Sequence, residues 1–211
     1  MTGQGDRRKL GVFPLDSCLP AMPRPASLAK RAVQVVSGLA ASAVLIAGGV
    51  WLAIQGDGNV HVLEPAVAVR AAQPSAERLE DIVRRYGVRS VVNLRGPNAG
   101  TPWYDEEVAA SKRLGLQHVD IALSARQELT PAQLDAVLAL VDKAPKPVLI
   151  HCNGGSDRTG LVSAAWLYSR GTPAQAANEQ LALRYGHFPW LGSKSVAMDR
   201  SLAAFEARKP H

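Results

Sequence analysis

The 211-residue chain is poor in cysteine, with two, and poor in aromatic side chains, at 5%. So few cysteines exclude a small scaffold stapled by several disulfides. No heptad run and no internal repeat is present, so neither a coiled coil nor a solenoid is the main architecture. Acidic residues are the minority charge, 18 against 24 Lys plus Arg, leaving a net charge of +6. Such an excess suggests an anionic partner, nucleic acid or a membrane surface, but its position decides between them. Residues 1–31 hold Arg7, Arg8, Lys9, Arg24, Lys30 and Arg31 against Asp6 and Asp16, which accounts for four of the six net charges. The remainder carries 18 basic and 16 acidic residues, a near balance that gives no sign of a nucleic-acid partner. At 47% hydrophobic and 20% charged, the chain is not wholly disordered.

Charge is missing altogether from residues 32–54, AVQVVSGLAASAVLIAGGVWLAI, where Gln34, Ser37 and Ser42 are the polar interruptions. As a helix this stretch spans a bilayer core. A buried core helix of that length would show a polar stripe, and a cleavable signal peptide would have a shorter apolar run with a clear A-x-A site after it. An uncleaved single-pass signal anchor is the expectation. Six basic residues precede the span and the first one after it is Arg70, so the N-terminus is expected in the cytoplasm and the rest in the periplasm or outside the cell. The proline-rich stretch 1–31 reads as a flexible cytoplasmic tail, and QGDGN at 55–59 as a linker.

Residues 60–209 are long enough for a core of their own. Short strands are expected at 67–70, 90–94, 116–123 and 147–150. Helices are expected from Ser75 to Tyr86, Asp105 to Leu114, Thr130 to Lys143 and Arg158 to Ser169, with another opening at Thr172 and Pro173. Ser75 and the Thr130–Pro131 pair are good N-terminal signals, and Leu134, Val137, Leu138 and Val141 fall at core spacing. This alternation predicts an α/β fold, a mainly parallel sheet flanked by helices, preceded by the transmembrane helix.

Between the strand PVLI and the helix from Arg158 lies HCNGGSDRTG, residues 151–160. A loop closing onto a helix N-terminus turns backbone N–H groups towards one point, which makes an anion site matched to phosphate. Gly154 and Gly155 give the tight curvature, including positive φ, and Asn153 and Ser156 complete the cradle. Cys152 at its floor would feel those N–H groups, the helix dipole and Arg158, all of which favour the nucleophilic thiolate. The planar fork of Arg158 can grip two phosphoryl oxygens, which a lysine could not do.

HCNGGSDRTG resembles the signature HCxxGxxR(S/T)G of the cysteine-dependent protein tyrosine and dual-specificity phosphatases. VAVRAAQPS, VVNLRG and RYGHFP are similar to segments of bacterial and fungal atypical dual-specificity phosphatases, so the likeness covers roughly residues 60–190. It implies a phosphocysteine intermediate with no cofactor and no metal: Cys152 attacks phosphorus in line, the alcohol leaves with a proton, and water hydrolyses the thiophosphate. Many members place the proton donor, an Asp, about 30 residues before the nucleophile. Here Ile121 to Arg126 contains none. Asp157 is the first candidate, since myotubularin-like enzymes with a CxxGxDR loop draw their acid from that position; Asp120 is the second and Glu128 the third. A bound phosphate dianion would push Asp157 towards its protonated form, and the alternative for it is a hydrogen bond or ion pair holding the loop.

Thr159 can donate to the departing thiolate or serve helix capping. His151 reads as a loop-ordering residue more than a base. Arg95, at the end of the VVNL strand, is open between a substrate contact and a plain salt bridge. Arg184, Tyr185 and His187 read as a turn packed on the core. Cys18 and Cys152 are expected on opposite sides of the membrane and cannot pair. The expected partner is a phosphorylated protein, with a phosphorylated lipid or small phosphoester as the alternative. Asn153 to Ser156 include no Lys or Arg, so nothing there favours a polyphosphorylated ring. A non-catalytic pseudophosphatase is the reading from a different class.

Overall fold

The computed structural model describes residues 25–190 and 192–208. It divides into two units, residues 1–46 and 47–211. The basic residues Arg7, Arg8, Lys9 and Arg24, and Cys18, lie outside the described residues. Helix α1 runs from Pro25 to Gly56, beyond both ends of the expected span. Leu28–Ala53 is its stretch long and apolar enough to cross a membrane, about 39 Å at 1.5 Å per residue against a hydrocarbon core of about 30 Å. Length and composition make it equally compatible with a signal sequence. Its side chains from Leu28 to Ala53 are exposed.

After α1 the chain forms a five-stranded sheet in the order β1-β2-β5-β3-β4. The strands are β1 (His61–Glu64), β2 (Ala68–Ala71), β3 (Ser90–Asn93), β4 (Gln117–Asp120) and β5 (Val148–His151). All pairs are parallel except β1 with β2, so the sheet is mixed and mainly parallel. Alternating strand residues feed opposite faces. Ala68, Val92, Val148 and Ile150 pack with α4 (Pro131–Lys143), α5 (Asp157–Ser169) and α7 (Val196–Arg208). Val69, Ala71, Val91 and Leu149 pack with α2 (Ala76–Tyr86) and α3 (Pro102–Arg113). Such period-2 sorting is what a strand buried on both faces requires.

Local chemistry explains the helix starts. Ser75 Oγ accepts from the Arg78 N–H, and Thr130 with Gln133 forms a reciprocal capping box with Pro131 in the first turn. Helix α3 begins at Pro102 and not at Asp105, because Pro102 after Thr101 supplies a pre-set first turn. Thr172 is not a cap: Pro173 holds that place before the short α6 (Ala174–Asn178), and two 3-10 turns follow at Glu179–Leu181 and Leu183–Tyr185. Strand β1 and helix α7 were not expected. The latter carries Met198, Leu202 and Phe205 at helical spacing, all buried.

The expected linker is a further difference. Gln55 and Gly56 complete α1, while Asn59 is 1% exposed and donates through Nδ2 to the carbonyls of Gly154 (3.0 Å) and Tyr185 (2.9 Å). A side chain satisfying two distant carbonyls is part of the folded unit that they belong to.

Candidate active site

Strand β5 ends at His151 and α5 starts at Asp157, so residues 152–156 form a tight connection between the sheet centre and a helix N-terminus. Ser156 is the N-cap, without a side-chain cap bond. Gly155 takes φ +70°, and a Cβ there would sit 2.7–2.8 Å from the backbone of Ala71 and Ala72, so both shape and space demand glycine. Gly160 meets a similar limit: its Cβ would lie 2.7 Å from the Gln180 carbonyl. Thr-Gly in the motif therefore serves close packing of α5 on the first 3-10 turn.

The loop is held from outside by residues that sequence reading did not select. Arg70 on β2 is fully buried and donates to the Gln180 carbonyl (2.8 Å), Gln180 Oε1 (2.7 Å) and the Gly155 carbonyl, while its guanidinium lies 3.9 Å above the Tyr185 ring. Burial pulls its pKa down to about 10, partly offset by the charges of Tyr185 and Cys152. Asn59 grips the neighbouring Gly154 carbonyl. The available sequence signals were a charged residue inside an otherwise apolar strand and an Asn between glycine and an apolar run.

Cys152 is 2% exposed and is the free thiol among the described residues. It lines a cavity with Gln73, Asn153, Gly154, Ser156, Asp157, Arg158 and Gly186. Arg158 Nη1 donates to the carbonyls of Leu94 (3.3 Å) and Leu123 (3.2 Å), beyond the ends of β3 and β4, and its buried Nε has no protein partner among the described residues. The strand ends thus fix one edge of the fork and leave another donor uncommitted. Thr159 is fully buried with Oγ1 likewise unpartnered, so its side chain is not spent on capping.

Arg95 lies over the Trp103 ring at 3.4 Å and donates to Gln73 Oε1 at 3.0 Å. Burial lowers its pKa, Arg158 adds to that, and the charges of Cys152 and Glu107 oppose it. No carboxylate lies within ion-pair distance of it among the described residues, so of its two open readings the plain salt bridge is not formed.

The three carboxylates weighed for proton transfer occupy different places. Asp120 Oδ1 accepts from Asn93 Nδ2 (2.8 Å) and Oδ2 from the Tyr104 hydroxyl (2.6 Å), which pushes the tyrosine up to about 12. With both oxygens engaged, Asp120 braces the turn after β3. Glu128 is exposed and paired with Arg200 at 3.1 Å. Asp157 lines the Cys152 cavity and its Oδ1 lies 2.7 Å from His187 Nδ1. His187, read from the sequence as part of a packed turn, is fully buried and its Nε2 lies 3.0 Å from Asp199 Oδ2. Burial alone would lower the His187 pKa, but the hydrogen bonds and charge of Asp157 and Asp199 outweigh it and raise it.

Behind the loop, His151 is buried and Nε2 sits 3.2 Å from Glu107 Oε2, in keeping with an ordering role. Glu107, 1% exposed, also meets His118 Nε2 at 2.8 Å and accepts from Gln73 Nε2. Burial alone would raise Glu107, yet the hydrogen bonds and charge of the two histidines hold it at about 2.

The fold is shared with solved phosphatases. TpbA of P. aeruginosa is 22% identical, with TM-score 0.55, covering 72% of this chain and 92% of its own. Tk-PTP in its active form is 22% identical, with TM-score 0.55 and 71% and 97% coverage. The core catalytic domain of the PP-IP phosphatase SIW14 from S. cerevisiae is 18% identical, with TM-score 0.54 and 72% and 94% coverage. No curated protein sequence matches. The model of the PTP-SAK family, described as Swiss Army Knife protein, DSP-PTPase phosphatase domain, matches residues 60–205. By that match over more than half its length, the chain belongs to the PTP-SAK family of DSP-PTPase domains and is a cysteine-dependent phosphomonoester hydrolase.

Proposed function

We propose that the chain is a membrane-tethered phosphatase that dephosphorylates phosphotyrosine-bearing proteins through a phosphocysteine intermediate. The observation that carries this reading is the convergence of Cys152, Arg158 and Asp157 on one cavity at the N-terminus of α5. Backbone N–H groups there and the Arg158 fork receive the phosphoryl oxygens, with Asn153 to Ser156 as the cradle. Arg95 and Gln73 form the adjoining wall. Cys152 Sγ bonds to phosphorus as the P–O bond breaks, and Asp157 gives the leaving oxygen its proton. Water then attacks phosphorus, the S–P bond breaks, and the water proton returns to Asp157. Thr159 Oγ1, otherwise unpartnered, donates to Sγ as negative charge returns to it. Support for the substrate comes from a cysteine-to-serine form of TpbA in complex with pTyr, a structure with TM-score 0.54 to this chain.

The 26-residue apolar stretch of α1 supports a tether in the inner or plasma membrane. The basic residues before it support a cytoplasmic N-terminus and a domain from about residue 60 facing the periplasm or the cell exterior.

The test uses the full chain in detergent micelles with chelator present. Phosphotyrosine peptide is hydrolysed, and Cys152→Ser loses turnover while still binding vanadate; turnover by Cys152→Ser at the parent rate overturns the mechanism. Asp157→Asn loses at least about 100-fold on an alkyl phosphate and far less on an activated aryl phosphate. Preference for phospholipid over phosphopeptide would replace the substrate reading. Reporter fusions after residue 57 fix the orientation, and a cytoplasmic signal would reverse it.

A further inference from the structure

His187 has a carboxylate at each ring nitrogen: Asp157 Oδ1 at 2.7 Å from Nδ1 and Asp199 Oδ2 at 3.0 Å from Nε2. Its side chain is fully buried, whereas those of Asp157 and Asp199 are 28% and 39% exposed. The charged groups facing it are Asp157 from α5 and Asp199 from α7; its own neighbours, Gly186 and Phe188, bring none. Ionised carboxylates only accept hydrogen bonds, so two of them facing one ring call for a proton on both nitrogens. A line of hydrogen bonds therefore leads from the partly exposed Asp199, through an imidazole closed to solvent, to an aspartate on the wall of the Cys152 cavity.

We propose that His187 is the proton-supplying and positioning residue for Asp157. This rests on Asp157 being the general acid. A carboxylate in the phosphate loop is a poor acid unless something returns a proton to it after each transfer. The phosphate dianion draws the Nδ1 proton onto the Asp157 carboxylate, leaving a neutral carboxyl and a neutral imidazole whose Nε2–H stays bonded to Asp199. The carboxyl then protonates the leaving oxygen as the P–O electron pair moves onto it. In the second step, the water attacking phosphorus gives a proton to Asp157, and Nδ1 recovers one from there. No net proton is consumed by the Asp157–His187–Asp199 unit over the cycle. Asp199 has two duties: it fixes which ring nitrogen releases its proton, and its charge keeps the ring protonated to higher pH.

The partly exposed Asp199 is the position to change first, because Asp199→Asn keeps an acceptor for Nε2–H and removes the charge. In the full chain in detergent, the basic limb of the kcat/KM–pH profile on an alkyl phosphate moves to lower pH in Asp199→Asn. The profile on an activated aryl phosphate, which needs no acid, stays in place. His187→Gln loses about tenfold or more on the alkyl substrate and less than about threefold on the aryl one. Equal losses on both substrates, or an unmoved basic limb in a folded Asp199→Asn enzyme, overturn the relay and leave His187 as a brace for its turn. Asp157→Asn measured alongside separates the two levels. If it too loses little on the alkyl substrate, the acid assignment fails. If it loses about 100-fold while the Asp199→Asn limb does not move, the relay alone fails.

Discussion

Two carboxylate–imidazole clusters flank the phosphate loop, and each is the inverse of the other. Behind the loop one carboxylate, Glu107, sits between two imidazoles, His118 and His151. In front, one imidazole, His187, sits between two carboxylates, Asp157 and Asp199. The central group is pushed towards its charged form in both, Glu107 down to about 2 and His187 upward. They differ in access. Glu107 and His151 are sealed, so that charge can only hold the loop, whereas Asp157 opens onto the cavity, so that charge can also be exchanged. The same interaction is structural when both partners are buried and available for chemistry when one is not.

The largest effect should come from breaking the sealed cluster. Glu107→Gln leaves two buried imidazoles without a counter-charge and lowers the unfolding free energy by about 3 kcal/mol in urea titration at about pH 7. His187→Gln comes next, about 1 kcal/mol, because its partners are partly exposed and water can take over their hydrogen bonds. Equal losses would remove the distinction.

The two clusters also separate by pH. Glu107 is depressed from 4.5 to about 2, so its contribution is present above pH 4.5 and lost as pH falls through about 2. His187 is raised above 6.5, so its contribution is complete below pH 6.5 and lost as pH rises through the folded value. Thermal unfolding across pH should therefore lose its acid-side slope in Glu107→Gln and its alkaline-side slope in His187→Gln. The smallest effect is expected at the exposed Glu128–Arg200 pair: Glu128→Gln should change stability by less than about 0.5 kcal/mol and leave the kcat–pH profile in place.

Local signals were enough for much of this fold. The helix starts at Ser75 and Thr130, the apolar strands and the strand–loop–helix around Cys152 follow from capping chemistry and short-range patterning. The supports of the loop were hidden because they depend on distance in space. Arg70 is 110 residues from Gln180, and Asn59 is 126 residues from Tyr185. His187 was hidden for the same reason: nothing in RYGHFP shows that α5 and α7 bring an aspartate to each side of its ring. Strand β1 was missed because an edge strand of four residues, partly exposed, has no apolar alternation to betray it.

Asn59 lies three residues after the last residue of α1 and holds the carbonyl of Gly154 directly. The mechanical path from the end of that helix to the catalytic loop is therefore a few peptide bonds and one hydrogen bond. A soluble fragment trimmed to begin at residue 60 would cut that path and lose a strut of the loop, although every residue of the phosphatase signature would still be present. Tension or torsion on the chain at Gly56 would reach the cradle before it reached the core of the sheet.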